Sequence, residues 1–370
     1  MFFLFIHSAL PRKIIINLLT FIIMAFTQKD TECMALALKL SKLGQGSVGA
    51  NPMVGCVISS DDKIIAKDYH RQYGQEHAEI NALNQIKHKA DNCKLYVTLE
   101  PCSHQGKTPP CIDAIIKAGI KKVYVATLDP NPLVSGSGVK LLSESGIDVE
   151  VGLLENSAIE INRGFIKRMN TGLPFITSKI AMSLDGRVAM KSGESKWITS
   201  EASREDVQLL RSQNQAIVTG SGTILNDNPM LTVRNKKLRS KPLRVVIDSS
   251  NSITDKSLNI FSSDSDTLVL NKDNSKILEN GKIDLKLALK KLGEMGINNV
   301  LLESGSGLNG AMMKSRLIDE FIIYTAPVIL GSDAQPMIEL PFKKMSEKIS
   351  LSIIEITQVA TDIKIRAKPL

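Results

Sequence analysis

The feature that most constrains this chain is a set of metal-type ligands at fixed intervals: His77-Ala-Glu79, then Pro101-Cys102, then Cys111 after eight intervening residues. A fold that uses them must bring one imidazole and two thiolates to one point. Three such ligands leave the fourth tetrahedral position open to water, the pattern of a catalytic rather than a structural zinc site. A metal there draws the pKa of that water towards about 7. Glu79 follows His77 by two positions, in the turn that opens an expected helix over HAEINALNQI. From there its carboxylate can move a proton between water and a leaving group without binding the metal. Taken singly, His77 reads as a satisfied core histidine, and Cys102 or Cys111 as a small buried apolar residue. Taken jointly they read as a site. His104, in the stretch between the cysteines, is either a fourth ligand or a substrate contact. His70 and His88 read as surface residues, and Cys33, Cys56 and Cys93 as packing.

All five cysteines lie in the first third of the chain, an odd number that argues against a disulfide framework and for a reducing compartment such as the cytoplasm. The 370 residues exceed the roughly 100–200 of one domain, so two α/β domains are expected, each with its own core. The net charge of +8 invites a nucleic-acid reading, yet residues 25–150 balance acids and bases. The excess beyond them is scattered apart from Arg234, Lys236, Lys237 and Arg239, which suits a phosphorylated small molecule better than a nucleic-acid face. The apolar residues 1–23 are broken by Pro11-Arg12-Lys13 into runs too short for a membrane span. They read as a mis-chosen start ahead of Met24, with a signal peptide as the alternative.

Along the chain, residues 31–42 suit a helix ended by Gly44 and Gly46. VGCVISS and KIIAKDY form a hairpin around Asp61-Asp62, followed by helix HAEINALNQI, strand KLYVTLE, helix PPCIDAIIKAG and strands KKVYVATLD and IDVEVG. The stretch 153–174 reads as helical until Gly172 and Pro174, and the domain boundary is expected near Glu150. PFITSKIAMSLDG, AIVTGSGTIL, LRVVIDS, DTLVL, NNVLLESG and EFIIYTAPVIL then read as strands, with SREDVQLLRSQ helical, giving a second α/β domain.

Zinc deaminases of nucleobases use His, two Cys and a shuttling Glu, with a two-residue gap between the cysteines. Here the gap is longer, and the stretch from Leu99 to Cys111, LEPCSHQGKTPPC, resembles the deaminase domain of the bifunctional riboflavin-pathway enzymes. Asn51-Pro52-Met53-Val54-Gly55 is similar to the same family's substrate turn, which implies that Asn51 hydrogen-bonds the pyrimidine. The resemblance implies a cytidine-deaminase-like α/β/α domain over residues 25–150.

Beyond residue 174, SLDGR, SGESKWITS, DVQLLR, GTILNDNP, LTVR, VIDS, ESG and APVILGSDA resemble the dihydrofolate-reductase-like α/β domain of those enzymes. No G-x-G-x-x-G turn identifies a dinucleotide here. Glu303-Ser304-Gly305-Ser306-Gly307-Leu308-Asn309-Gly310-Ala311 lies between an expected strand and helix and can cradle a phosphate, although it also reads as a plain glycine-rich loop. The resemblance implies that Ala181, Trp197, Thr223, Asp227, Ser249 and Gly305, Ser306, Gly307, Leu308, Asn309, Gly310 and Ala311 line an NADPH site. It also implies that Ser195, Arg211, Leu231, Arg234 and Glu303 hold the substrate, with Arg211 and Arg234 suited to a ribose phosphate. Trp197 is either a core ring or a wall of that pocket, and Asp185 is read as a turn residue.

The resemblance therefore implies two reactions in order: zinc-dependent deamination of 2,5-diamino-6-(5-phosphoribosylamino)pyrimidin-4(3H)-one, then NADPH-dependent reduction of 5-amino-6-(5-phosphoribosylamino)uracil to its ribityl product. The expected partners are phosphorylated pyrimidines and a second copy of the chain through the reductase half, with neither nucleic acid nor membrane. A nucleic-acid base deaminase would need a basic, aromatic-rich groove, which residues 25–150 lack. A zinc-stabilised binding module would leave Glu79 without a role.

Overall fold

The computed structural model describes residues 26–103, 109–131, 134–235, 238 and 240–370. Two compact units emerge, one holding Pro52–Asn162 and the other Arg163–Leu370 together with Gly49–Asn51. The division after Asn162 falls later than Glu150, because the break comes inside the helical stretch rather than before it. Among the described residues no helix is long and apolar enough to cross a membrane. The apolar residues 1–23 lie outside the description.

In the first unit, α1 (Gln28–Ser41) starts on a capping box: the Thr27 hydroxyl accepts from the Asp30 N–H, and the Asp30 carboxylate accepts from the Thr27 N–H. Its Cys33, Met34, Ala37 and Leu38 pack on Val57, Tyr96 and Tyr124 of the sheet. Strands β1 (Gly55–Ser60) and β2 (Lys63–Tyr69) pair as an antiparallel hairpin. Asp61 and Asp62 turn it with φ of 45° and 61°, positive angles that Asp tolerates in a two-residue turn. Strands β3 (Lys94–Val97), β4 (Lys122–Val125) and β5 (Asp148–Val151) run parallel, giving the order β2-β1-β3-β4-β5. Gly55 is needed where β1 meets α1, since a Cβ there would lie 2.0 Å from the Ala37 carbonyl oxygen. Helices α2 (Ala78–Gln85), α3 (Cys111–Lys117), α4 (Ser137–Glu144) and α5 (Glu155–Ile161) complete the unit.

The second unit opens with α6 (Arg163–Thr171) and is built on an eight-stranded sheet. Strands β6 (Phe175–Ser183), β8 (Ala216–Gly220), β9 (Leu243–Asp248), β10 (Thr267–Asn271), β11 (Asn299–Leu302) and β12 (Glu320–Ala326) are parallel. They read as apolar runs because central parallel strands are covered on both faces, and β12 is buried along its whole length. β15 (Asp362–Pro369) and β14 (Leu351–Val359) close one side antiparallel, in the order β10-β9-β8-β11-β6-β12-β15-β14. A short β7 (Arg187–Ala189) pairs with β13 (Gln335–Pro336). Helices α7 (Glu201–Ser212), α8 (Ser221–Asp227), α9 (Leu285–Glu294) and α10 (Ser306–Lys314) lie between strands. AIVTGSGTIL, expected as one strand, is strand only to Gly220, the extended N-cap of α8, and helix from Ser221.

Candidate active sites

In the first unit the three expected ligands converge. His77 is the extended N-cap of α2, Cys111 opens α3, and Cys102 follows the end of β3. Their ligand atoms all lie within 4.8 Å of one another. His77 Nδ1 is 3.2 Å from Cys111 Sγ and 3.5 Å from Cys102 Sγ, and the Cys111 backbone N–H donates to Cys102 Sγ at 3.3 Å. The Cys111 thiol and the His77 ring together push the Cys102 thiol down to about 4, while the Cys102 sulfur and burial push Cys111 well up. Hydrogen bonding to Cys102 raises His77 against its burial. Two sulfurs and an imidazole pressed this closely match a zinc donor set.

Glu79 is 3% exposed, and burial raises its carboxyl above the usual range despite the neighbouring His77. Its Oε2 is buried without a hydrogen-bond partner, an orphan that a water on the metal's fourth position would satisfy. The residues present therefore fit a catalytic zinc. His70, expected at the surface, is 2% exposed; its Nδ1 sits 3.0 Å from the Glu76 carbonyl oxygen and its ring meets His77 edge-to-face at 5.4 Å. The tract from His70 to Glu76 folds back over α2, which periodicity alone does not reveal. His88 is exposed, and Cys33, Cys56 and Cys93 are buried. His104 lies outside the described residues. Asn51 is half-buried, and by its contacts it groups with Gly49 and Ala50 in the second unit.

Glu100, in the stretch from Leu99 to Cys111, has a buried carboxylate that accepts four backbone N–H groups, from Asp129, Gly136, Gly138 and Val139. It ties the segment after β4 to a position two residues before Cys102.

The second unit holds a cavity of about 1080 Å³ at the C-terminal ends of β6, β8, β9 and β11, where open parallel sheets bind ligands. Ala181, Ser195, Trp197, Thr223, Asp227, Ser249, the N-cap Gly305 and, from α10 rather than a loop, Ser306 to Asn309 and Ala311 line it, as do Arg211, Leu231, Arg234 and Glu303. Gly310 does not: a Cβ there would meet the Glu339 carbonyl oxygen at 2.1 Å, so its role is close packing. Gly222 and Gly305 face open space, so a Cβ at either would begin to fill the cradle. A cavity of this size between two helix N-termini, with free glycine backbone, fits a dinucleotide.

Trp197 is 69% exposed, with the Arg204 guanidinium 4.4 Å from its ring, and forms a wall rather than part of the core. Ser195 Oγ donates to Asp227 Oδ1 at 3.4 Å, and Ser249 Oγ accepts from the Ile283 N–H at 3.1 Å. Leu231 is buried with φ of 48°. Arg211, expected on the ribose phosphate, is engaged by the chain's own groups. It is 8% exposed, grips Glu303 through Nε at 2.6 Å and Nη2 at 2.9 Å, and donates from Nη1 to the Thr232 carbonyl. Arg234 is exposed and uses its backbone N–H on Gln208. Lys236, Lys237 and Arg239 lie outside the described residues. Asp185 is the turn residue expected: it accepts from Ser183 Oγ and from the Leu330 and Gly331 N–H groups.

Lys179 was not singled out from the sequence, yet it lines the cavity. Burial lowers its ammonium while Glu303 raises it. A lysine in the middle of the apolar run FITSKIAMS is a readable signal for such a position.

Residues 27–127 match the cytidine and deoxycytidylate deaminase zinc-binding region, and residues 174–365 match the RibD C-terminal domain. The riboflavin biosynthesis protein RibD of Escherichia coli is 42% identical over 359 residues, covering 90% of this chain and 98% of that protein. A structure of Acinetobacter baumannii RibD is 40% identical with a TM-score of 0.86, covering 93% of this chain and 99% of its own. A Thermotoga maritima diaminohydroxyphosphoribosylaminopyrimidine deaminase/5-amino-6-(5-phosphoribosylamino)uracil reductase is 32% identical with a TM-score of 0.85, covering 92% and 99%. Deaminase and reductase domains thus stand in one chain, each with its own site, and the protein belongs to the bifunctional deaminase–reductase family of riboflavin biosynthesis.

Proposed function

We propose that the first site deaminates 2,5-diamino-6-(5-phosphoribosylamino)pyrimidin-4(3H)-one and that the second reduces the resulting 5-amino-6-(5-phosphoribosylamino)uracil with NADPH. The observation that carries the reading is the convergence of His77, Cys102 and Cys111 beside the unpartnered Glu79 Oε2. Zinc, held by those three ligands, supplies the Lewis acidity that makes water acidic enough to react near neutral pH. Glu79 takes a proton from that water and returns it to the amine that leaves as ammonia. Its burial suits the task, since a raised carboxyl pKa brings it nearer the working pH. Cys111 N–H and the α2 and α3 N-termini hold the ligand charge in place.

In the second site, NADPH supplies a hydride to ribose C1′. The chain's residues orient the two partners. Gly305 and the first turn of α10, Ser306 to Leu308, would offer their backbone N–H groups to the pyrophosphate, and Trp197 would wall the cofactor. Lys179 and the Arg211-clamped Glu303 line the same cavity and would face the ribose, while Arg234 would take the substrate phosphate. The exposed β14 edge, with Ile353 and Ile356 each about three-fifths open, supports self-association through this unit. We assign the enzyme to the cytoplasm, where its thiolates stay reduced. The test is direct: incubation with the diaminopyrimidine and NADPH should release ammonia and consume NADPH in equal amounts. Ammonia release with no NADPH consumed would remove the second step from this reading.

A further inference from the structure

The glycine loop between β11 and α10 is shaped from behind by two side chains. Asn309, expected to contact the cofactor, is 1% exposed. Its Nδ2 donates to the carbonyl oxygens of Ser304 at 2.8 Å and Gly305 at 3.3 Å. Its Oδ1 accepts from the hydroxyl of Ser178, a fully buried residue of β6, at 2.7 Å. The amide can sit only this way round, because the two carbonyls accept and cannot donate, whereas a hydroxyl can do either.

A trans peptide places its C=O and N–H on opposite sides. Drawing the Ser304 and Gly305 carbonyls inward therefore turns the N–H groups of Gly305 and Ser306 outward, and both residues line the cavity. Neither N–H donates to another backbone group among the described residues. We propose that Ser178 and Asn309 are a positioning pair: they hold these two donors in the phosphate-binding orientation before the dinucleotide arrives. The side-chain amide of Asn309 is spent on Ser178 and the two carbonyls, so the pair acts through the loop. This rests on the NADPH reading above and adds to it the residues that pre-form its pyrophosphate cradle.

The experiment is a fluorescence titration of the full chain with NADPH, alongside calorimetric titration with adenosine 2′-phosphate, which has no pyrophosphate. Asn309→Ala should raise the NADPH Kd roughly tenfold, as expected when buried carbonyls lose their donor and the loop its shape. Binding of adenosine 2′-phosphate should hold. Ser178→Ala, which removes one hydroxyl, should weaken NADPH several-fold, and the double variant should be no worse than Asn309→Ala, because the two act as one unit. Should Asn309→Ala fail to fold, Ser178→Ala decides alone. An unchanged NADPH Kd, or an equal loss with the pyrophosphate-free probe, overturns the pair. If the parent protein itself binds no NADPH, the cofactor reading fails and the pair with it, an outcome distinct from failure of the variants alone.

Discussion

At the residue scale, two arginines that look alike in the sequence part company in the structure. Arg211 is buried and bidentate to Glu303, so Arg211→Met strips the buried carboxylate of its hydrogen-bonded partner and should cost about 3–5 kcal/mol of stability, read by denaturant unfolding. Arg234 is exposed, so Arg234→Ala should leave stability within about 0.5 kcal/mol. Its effect should appear in reductase KM, larger for the phosphorylated substrate than for its dephosphorylated analogue; equal effects on both would remove Arg234 from the phosphate. The sequence placed both beside the site, but not the pairing of Arg211 with Glu303, because that contact depends on how α7 packs against the end of β11. The zinc ligands were legible for the opposite reason. Metal chemistry restricts residue type and spacing locally, whereas Ser178 and Asn309 become a pair only when the fold brings β6 and α10 together.

At the scale of elements, the start of α1 gives the deaminase unit a measurable pH signature. Burial alone would raise the Asp30 carboxyl, but hydrogen bonds from Thr27 and Tyr96 hold it at about 2, against 3.8 for the free group. Its contribution of about 2 kcal/mol is complete above the unfolded value and lost as pH falls through the folded one. Stability of this unit should therefore decline between about pH 4 and pH 2, and Asp30→Asn should flatten that part of the profile. An unchanged slope in the variant would remove Asp30 as its source. Alternation and turn chemistry made the β1–β2 hairpin and the parallel strands readable. The β14–β15 hairpin escaped, because β14 is exposed along nearly its whole length and its LSIIEITQV carries no clean buried face. Helices α5 and α6 read as one segment, since apolar spacing continues through Asn162 and only tertiary packing marks the break.

For the whole molecule, two units with separate cores predict separable behaviour. Removing zinc with a chelator should lower the unfolding temperature of the deaminase unit while leaving the transition of the reductase unit within a degree or so, because metal binding adds stability only to the unit that holds it. Calorimetry reads both transitions, and an equal shift in the two would contradict the assignment of the metal to one unit. The central claim, two reactions at two sites in one chain, is tested most directly through Glu79→Gln. The variant should keep its zinc, since His77, Cys102 and Cys111 are untouched, and should lose deamination by roughly 10²–10⁴. Supplied with 5-amino-6-(5-phosphoribosylamino)uracil, it should oxidise NADPH at the parent rate, and with the diaminopyrimidine it should not. Deamination at the parent rate, or loss of uracil reduction in a folded, zinc-loaded variant, would contradict the account.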